Sequence, residues 1–506
     1  MESIHKDQAL NTLVKGAGFV YMGLIFSKVF TYLYRIIIAR IGVEEYGLFS
    51  LGIAVTSIAM YVPLLGLDQG IIRYVSYHLG FNDLPRIKGT ITSALKIAAP
   101  LSILSLIILY LSANYIAIDV LKEPRLADII KILSFAIPFY VFSELFLSII
   151  KAYKRMDYWV GIRNIFENLI KFTITYLLIS TGFGAIGAAI GFTIANIISL
   201  ILAVVIVEIK IMPLLKSKIV SIKHTTQLVT YSWPIMFNIL FGQIYGWTDT
   251  LLLGYFKSTT EVGIYNAALP TAQIISIVPT GIMALFCPIM TNLYAQKKVN
   301  EFIDVYKTST KWIVYMIIYV YLISVVFSKE ILSVLFGPSY ESGAYAFIII
   351  STGFFVYSFL GATDLMLKVI DRTKLLMMNT LISTIINVGL NIILIPEYGI
   401  LGGAIASATS ISIWSILCVV ESYYITKVHP FKKGLLRLIV AGISTGIIIY
   451  LLKAHLGLGG AMLLKGMVIT AIVYISLIIL SGCLDNEDRN MLSTIKNKIK
   501  RTIFNR

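Results

Sequence analysis

Two basic side chains and one phenol lie on one face of the first apolar stretch of this 506-residue chain. Lys28, Tyr32 and Arg35 are spaced i, i+4 and i+7, which places them along one side of a helix. Aligned cations of this kind suit a phosphate or pyrophosphate group, which arginine binds through two parallel hydrogen bonds. We therefore predict that the three side chains line a cavity, with the alternative that Arg35 extends toward the outer interface.

Acidic side chains interrupt other apolar stretches. Glu167 and Lys171 are four residues apart, in the order that favours an ion pair on a helix. Two interpretations follow: Lys171 is a third cavity cation, or Glu167 neutralises it. Glu144, Asp249 and Asp364 lie in or near the ends of three further stretches. Because ionised groups are costly inside a membrane, we predict gating or ion-coupling roles for these four carboxylates.

Asp249 allows three roles. Its carboxylate could bind a coupling ion, either a proton or Na⁺. It could instead pair with Arg35 and close an outer gate, or it could bind polar groups at the outer interface. An internal repeat described below places Asp249 at the equivalent of Leu33, so the two halves of the chain differ at this position.

The elements that position these residues are membrane-spanning helices. Hydrophobic residues make up 58% of the chain and charged residues only 13%, too few to solvate the surface of a soluble protein. Apolar runs have the length of about 20 residues that crosses a bilayer as a helix. The sequence predicts an all-α polytopic membrane protein with about fourteen spans: 16–40, 46–67, 90–113, 130–150, 160–181, 185–207, 229–254, 264–292, 310–328, 344–367, 375–395, 400–424, 434–452 and 461–482.

The basic residues predict the orientation. Of 42 lysines and arginines, 31 fall in the terminal tails and in the loops on the same side, and 8 fall in the opposite loops. Arg163 is counted among the 31, on the loop side of the fifth span. Because basic loops stay in the cytoplasm, we predict a cell-membrane protein with both termini cytoplasmic. The net charge of +16 is then a matter of orientation, and we expect no nucleic-acid partner.

The two halves of the chain resemble each other at a nearly constant offset. Residues 45–50 (EYGLFS) align with residues 261–266 (EVGIYN) at an offset of 216, and residues 184–190 align with 399–405 at 215. An even number of spans separates the copies, which predicts a parallel repeat. We predict three parts: a lobe of six spans over 1–215, a second lobe of six over 216–426, and two further spans with a basic tail over 427–506.

The same offset of 216 relates two prolines. Pro63 and Pro279 lie at equivalent positions in the second and eighth spans. Proline removes a helix hydrogen bond, so each is a candidate hinge, with a fixed kink as the alternative. The linker between the lobes is predicted around Lys216, Lys218 and Lys223.

No motif indicates an enzyme or a cofactor. The chain lacks a phosphate-binding G-x-x-x-x-G-K-[ST] loop and an H-E-x-x-H metal motif. Its three cysteines are far apart in the sequence, and its five histidines show no ligand spacing. We expect no metal, no catalytic residue and no cofactor other than the coupling ion.

Several segments resemble prokaryotic polysaccharide-biosynthesis transporters of the multidrug/oligosaccharidyl-lipid/polysaccharide exporter superfamily. Residues 249–256 (DTLLLGYF), followed by 261–268 (EVGIYNAA), are similar to the junction of the seventh and eighth spans in that family. The resemblance continues after the second span and across the eleventh and twelfth, at these positions: Gly66, Leu67, Asp68, Gln69, Gly70, Arg73, Asn379, Asn387, Asn391, Pro396, Gly399, Gly402 and Ala404.

This resemblance implies an alternating-access carrier that flips a polyprenyl-linked saccharide from the cytoplasmic to the outer leaflet. Membrane lipids, and a polymerase or glycosyltransferase of the same pathway, are the implied partners. The alternative within the superfamily is cation-coupled drug efflux. Basic cavity residues argue against organic-cation cargo, whereas Asp249 favours it. A membrane-embedded polymerase or ligase is a third class, and the short outward loops argue against it.

The predicted orientation can be tested with single cysteines. We expect cysteines placed at Ser217 and Asn300 to react with an impermeant maleimide only after permeabilisation, because both positions belong to basic loops. A cysteine at Ser258 is expected to react in intact cells. The reverse labelling pattern would refute the orientation inferred from the basic residues.

Overall fold

The computed structural model describes residues 23, 25–214, 220–222, 225–361, 363–432, 434–457 and 460–483. Throughout these ranges the secondary structure is helical and no strand occurs, which confirms the all-α prediction. Backbone groups inside a bilayer have no water to bind, and a helix satisfies them within one segment. The predicted linker at Lys216, Lys218 and Lys223 and the basic C-terminal tail lie outside the described residues.

The described residues of the first half of the chain form ten helices. These are α1 (25–41), α2 (Val43–Leu64), α3 (Leu67–Leu79), α4 (Leu84–Asn114), α5 (Leu126–Ser134), α6 (Ala136–Ala152), α7 (Met156–Val160), α8 (Glu167–Ser180), α9 (Gly184–Ile206) and α10 (Thr225–Phe256). A π-helical segment, Gly161–Phe166, joins α7 to α8 without a break. Two further π-helical segments, Tyr115–Val120 and Val207–Ile211, extend α4 and α9.

The second half of the described chain forms ten more. These are α11 (Thr259–Ala272), α12 (Ile277–Ala295), α13 (Val299–Val326), α14 (Ser328–Phe336), α15 (Ala344–Phe359), α16 (Thr363–Val369), α17 (Thr373–Tyr398), α18 (Ile400–Thr426), α19 (Leu435–Leu456) and α20 (Leu463–Leu480). A 3₁₀ turn at Gln273–Ser276 separates α11 from α12.

By length and composition, 11 helical stretches of the described residues qualify as membrane spans. They begin with Val43–Leu79 and end with Leu463–Leu480. Helices also occupy the predicted first, fifth and seventh spans, at 25–41, Met156–Ser180 and Thr225–Phe256, but these are not among the 11. The polytopic helical architecture is thus confirmed, whereas the count of fourteen stays a prediction.

Contacts divide the chain into two units. Unit 1 comprises the described residues up to Ala267 together with Val388–Ile400, and unit 2 comprises those of Ala268–Asn387 and Leu401–Arg506. α10 belongs to unit 1 because it packs on α2 and α3. The lobe boundaries at 215 and 426 therefore stay predictions.

Within unit 1, α2 and α11 cross at two glycines. A Cβ atom added at Gly47 would overlap the carbonyl oxygen of Thr259, and one added at Gly263 would overlap the carbonyl oxygen of Val43. The two contacts are reciprocal, because Val43 and Gly47 correspond to Thr259 and Gly263 at the sequence offset of 216. The Tyr46 hydroxyl adds a hydrogen bond of 3.0 Å to the Asn266 carbonyl. Glycine at both positions lets the backbones touch.

A carboxylate near each crossing binds the start of another helix. Glu45 accepts a hydrogen bond of 2.7 Å from the backbone N–H of Ala185, and Glu261 accepts one of 3.2 Å from Ile400. These amides belong to the first turns of α9 and α18, where unpaired N–H groups and the helix dipole favour an anion. The same contact therefore occurs in both copies of the repeated motif.

Both predicted hinge prolines lie at interruptions of a helix. Pro63 precedes the end of α2, and Leu65 and Gly66 follow it with positive φ values of 50° and 69°. Pro279 lies in the first turn of α12, directly after the 3₁₀ turn. Since proline lacks the N–H that continues a helix ladder, a break nearby is expected. Movement at these breaks stays a prediction.

In unit 2 the last two helices pack on α13. The Tyr315 hydroxyl donates to the Cys483 carbonyl at 2.7 Å, and the Tyr474 hydroxyl donates to the Tyr315 carbonyl at 2.9 Å. Lys453 of α19 forms an ion pair of 2.8 Å with Glu330 of α14. The predicted spans 13 and 14 are therefore fixed to the other helices of unit 2.

The glycine crossing predicts a packing defect. We expect Gly47→Ala, and likewise Gly263→Ala, to destabilise the protein by ~1–3 kcal/mol, because a backbone carbonyl cannot move aside as a flexible side chain can. The measurement is the thermal unfolding midpoint of the purified protein in detergent. Gly281→Ala is the matched control, since a Cβ there meets nothing within 4 Å. Equal midpoints for Gly47→Ala and the control would refute the close contact.

Candidate functional site

A three-membered ion network lies at the centre of unit 1. Nη1 of Arg163 is 2.7 Å from Oε2 of Glu167, and Nη2 is 2.8 Å from Oε1 of Glu144. The exposed fractions of the Glu167 and Glu144 side chains are 9% and 14%. Glu144 lies within the candidate span Leu126–Ala152, and Arg163 lies in the helical segment that joins α7 to α8 without a break. Assigning Arg163 to a loop was therefore wrong.

Hydroxyl groups complete this network. The Ser199 hydroxyl of α9 lies 3.1 Å from the same Glu167 oxygen, and it lies 3.0 Å from the Ser143 hydroxyl. The Arg163 guanidinium is 5.4 Å from the centre of the Tyr140 ring. Buried charges are stable only when their remaining hydrogen-bonding capacity is met, and helices α6, α8 and α9 together supply these partners.

Lys171 lies one helical turn after Glu167 but does not pair with it. Its ammonium is 5.2 Å from the ring centre of Tyr34 and 6.0 Å from that of Phe192. Such rings attract a cation through their negative faces without neutralising its charge. Of the two interpretations, the direct Glu167–Lys171 ion pair is not found among the described residues, where Arg163 binds Glu167 instead. Among the described residues Lys171 has no carboxylate within ion-pair distance.

The cations of α1 occupy different environments. The Lys28 side chain is exposed and has no ion-pair partner in the described ranges, and the Tyr32 side chain is half-buried. Arg35 is half-buried beside the Tyr46 hydroxyl. Whether Lys28, Tyr32, Arg35 and Lys171 bind cargo stays a prediction.

Asn168 fixes α1 against α8. Its amide donates to the Ser27 hydroxyl at 3.1 Å, and the Thr31 hydroxyl donates to its Oδ1 at 3.2 Å. Tyr34 extends the contact by donating to the Ala188 carbonyl at 3.3 Å. Positions 27, 31 and 34 therefore face α8 and α9, whereas Lys28 and Arg35 follow on the adjacent face of the helix.

Asp249 is buried in a second polar cluster of unit 1. Its carboxylate accepts hydrogen bonds of 2.5 Å from the Tyr265 hydroxyl and from the Asn391 amide. The Oδ1 atom of Asn391 is buried and has no hydrogen-bond partner in the described structure. Pairing of Asp249 with Arg35 to close an outer gate stays a prediction.

Asp364, the remaining predicted carboxylate, belongs to unit 2. Its carboxylate is 3.1 Å from the Lys368 ammonium and accepts a hydrogen bond of 3.3 Å from Tyr357. It is thus engaged within α15 and α16. A gating or coupling role for Asp364 stays a prediction.

Sequence reasoning missed three site residues. Arg163 stands four residues before Glu167, and that spacing could have identified it as a partner. Tyr34 and Phe192 carry no local signal, because an aromatic residue in an apolar stretch is usually a packing residue. Their position beside Lys171 depends on how α1, α8 and α9 assemble.

The chain matches known proteins along most of its length. Residues 13–294 match the profile of the polysaccharide biosynthesis protein family, and residues 234–393 match that of the MatE family. An uncharacterized membrane protein of Methanocaldococcus jannaschii is 26% identical over 450 residues, which cover 84% of this chain and 87% of that protein. The probable flippase AglR of Haloferax volcanii is 30% identical over 212 residues, or 40% of this chain and 43% of that protein.

One solved structure shares the architecture. The lipid II flippase MurJ in an inward closed conformation aligns with a TM-score of 0.70 at 17% identity, covering 92% of this chain and 97% of that one. At this identity the likeness concerns the fold alone. The profile match covers more than half of the chain and agrees with the sequence resemblance. The chain therefore belongs to the polysaccharide biosynthesis protein family, transporters of the multidrug/oligosaccharidyl-lipid/polysaccharide exporter superfamily.

Proposed function

We propose that this transporter flips a lipid-linked oligosaccharide from the cytoplasmic to the outer leaflet by alternating access. The observation that carries the proposal is the environment of Lys171, a half-buried cation that lies against the Tyr34 and Phe192 rings rather than against a carboxylate. The name of the relative AglR, a probable flippase, supports the same reaction.

The cargo group that fits these cations is a phosphate or pyrophosphate linking lipid to sugar. An anion of this kind would bind the Lys171 ammonium of α8 and the Arg35 guanidinium of α1, two helices that Asn168 joins in unit 1. Arg35 can hold two phosphate oxygens at once, whereas Lys171 acts as a point charge. Lys28, exposed on the same helix as Arg35, would receive the headgroup before it reaches them.

A coupling ion would bind at Asp249. Three oxygen atoms here could coordinate Na⁺: those of the Asp249 carboxylate, the Tyr265 hydroxyl and the unpaired Oδ1 of Asn391. The alternative is that Asp249 binds a proton. Binding of either ion neutralises a buried charge and so changes the relative stability of two conformations. A gradient of that ion would then drive the transport cycle.

Drug efflux is the second candidate, since residues 234–393 also match the MatE family. A pump for organic cations needs an accessible anionic wall. Asp249 is 4% exposed and its carboxylate is already hydrogen-bonded, whereas the accessible charges on α1 are basic. The oligosaccharide cargo therefore fits better. A glycosyltransferase or polymerase of the same pathway would supply or consume the lipid-linked oligosaccharide. Both termini of the transporter would lie in the cytoplasm.

Reconstitution tests the proposed reaction. A fluorescent polyprenyl-pyrophosphate disaccharide in proteoliposomes is bleached by an impermeant reductant, and flipping exposes the inner-leaflet fraction. We expect the wild type to expose it and the variants Lys28→Ala, Arg35→Ala and Lys171→Ala to lose flipping. Lys28→Arg should retain activity and Lys28→Glu should not, because the headgroup needs a cation.

Lys329→Ala is the control for these variants, since its exposed side chain lies in α14 of unit 2. Wild-type rates for all three alanine variants would remove the headgroup-binding role. A wild type that leaves the inner-leaflet probe protected would contradict the proposed function itself.

Asp249→Asn tests ion coupling. We expect wild-type flipping to accelerate under an imposed pH or Na⁺ gradient and the variant to lose that response, because its amide cannot take up a proton or balance Na⁺. The control is Asp128→Asn, whose parent carboxylate is 69% exposed. A variant that responds as the wild type does, or a wild type indifferent to both gradients, would exclude Asp249 as the coupling site.

A further inference from the structure

Glu167 has a potential cationic partner on each side along its own helix. Arg163 precedes it by four residues and Lys171 follows it by four. In an isolated helix the pairing with Lys171 is favoured, because glutamate stands N-terminal to lysine. The structure nevertheless pairs Glu167 with Arg163 at 2.7 Å and leaves Lys171 on aromatic rings.

Two features of unit 1 decide this choice. Arg163 lies in the π-helical segment Gly161–Phe166, whose wider turn changes the direction of its side chain relative to a regular α-helix. Glu144 of α6 then takes the second amino group at 2.8 Å. One guanidinium thus holds two carboxylates, a geometry that the single ammonium of a lysine cannot reproduce.

We propose that Arg163 is a positioning residue that occupies both carboxylates and thereby leaves the Lys171 ammonium available to the anionic headgroup of the cargo. The inference rests on the proposed function, because it concerns the same headgroup site. Arg163 does not touch the cargo. Its effect is to prevent Glu167 from competing for Lys171.

The environment of Lys171 agrees with this role. The rings of Tyr34 and Phe192 lie 5.2 and 6.0 Å from its ammonium and stabilise the charge while leaving its N–H groups to donate. The Ser199 hydroxyl, 3.1 Å from Oε2 of Glu167, holds that carboxylate on the Arg163 side. Without Arg163, two largely buried carboxylates would lose their cation, and Glu167 could then pair with Lys171, which follows it by four residues on the same helix.

The proposal is tested by removing the Arg163 guanidinium first alone and then together with the Glu167 carboxylate. We expect Arg163→Met to weaken binding of geranylgeranyl pyrophosphate to the purified full-length protein, measured by calorimetry in detergent. If Glu167 captures Lys171 in about nine molecules of ten, the apparent affinity falls about tenfold, because only the unpaired fraction binds. The double variant Arg163→Met with Glu167→Gln should regain wild-type affinity, and Glu167→Gln alone should keep it.

The double variant distinguishes positioning from other roles. If Arg163 bound the headgroup directly, or if it served only to keep the fold intact, removing Glu167 as well would not restore affinity, and the proposal would fail. Wild-type affinity in Arg163→Met would also overturn it. Should Arg163→Met not insert, Arg163→Lys takes its place: we expect weaker binding that Glu167→Gln again restores, and no restoration refutes the proposal.

Three test ligands distinguish binding of a lipid-linked pyrophosphate from binding of the lipid alone or of free pyrophosphate. Geranylgeranyl pyrophosphate should bind, geranylgeraniol should not, and inorganic pyrophosphate should bind weakly and show the same dependence on Arg163. Absence of geranylgeranyl pyrophosphate binding in the wild type would count against the headgroup site of the proposed function. Wild-type binding that is insensitive to Arg163 would instead overturn the positioning role alone.

Discussion

The backbones of α2 and α11 are in direct contact. A carbonyl group of each helix occupies the space that a Cβ atom would need at a glycine of the other helix. Gly47 and Gly263 permit this contact, and Glu45 and Glu261 then bind the first amides of α9 and α18. Two short motifs thereby join α2 to α11 and bind the first amides of α9 and α18. Tyr46 of the first motif strengthens this crossing, because its hydroxyl donates a hydrogen bond to the Asn266 carbonyl of the second.

Charges inside unit 1 are stabilised in two different ways. Arg163 forms ion pairs with two carboxylates, which more than offset its single positive charge within the protein. Lys171 is held by ring faces, which stabilise a cation but leave a net charge in place. The first arrangement rigidifies a core, whereas the second retains the capacity to bind an anion. Because Arg163 and Lys171 lie about two turns apart along one helix, the ion network around Arg163 can affect the proposed transport site at Lys171.

The sequence predicted the helical architecture because each segment is apolar over the length that a bilayer requires. It also identified the repeated motif at residues 45–50 and 261–266, whose copies make equivalent contacts. The sequence did not reveal which cation pairs with Glu167. Glu167 has a cation four residues away on either side, and the decision depends on Glu144 from another helix and on a π-helical turn.

Asp249 shows the same limit over a longer range. The sequence left three roles open for this carboxylate. Its partner Asn391 lies 142 residues later, and nothing near Asp249 in the sequence indicates that pairing. The alternative partner, Arg35, was chosen for its charge and predicted depth. Inside a protein an amide and a phenol satisfy a carboxylate without a counter-charge, so complementarity of charge alone does not identify the contact.

The reciprocal contact between α2 and α11 has the form of a two-fold dimer interface. In such an interface, residue i of one copy contacts residue j of the other, and residue j of the first contacts residue i of the second. A half-length chain would carry both parts of that interface, so two identical copies could associate through it. Fusion of the halves into one polypeptide removes the dependence on concentration. It also permits asymmetry, since a homodimer must carry every substitution twice. This chain instead places Asp249 in one half and Leu33 at the equivalent position of the other.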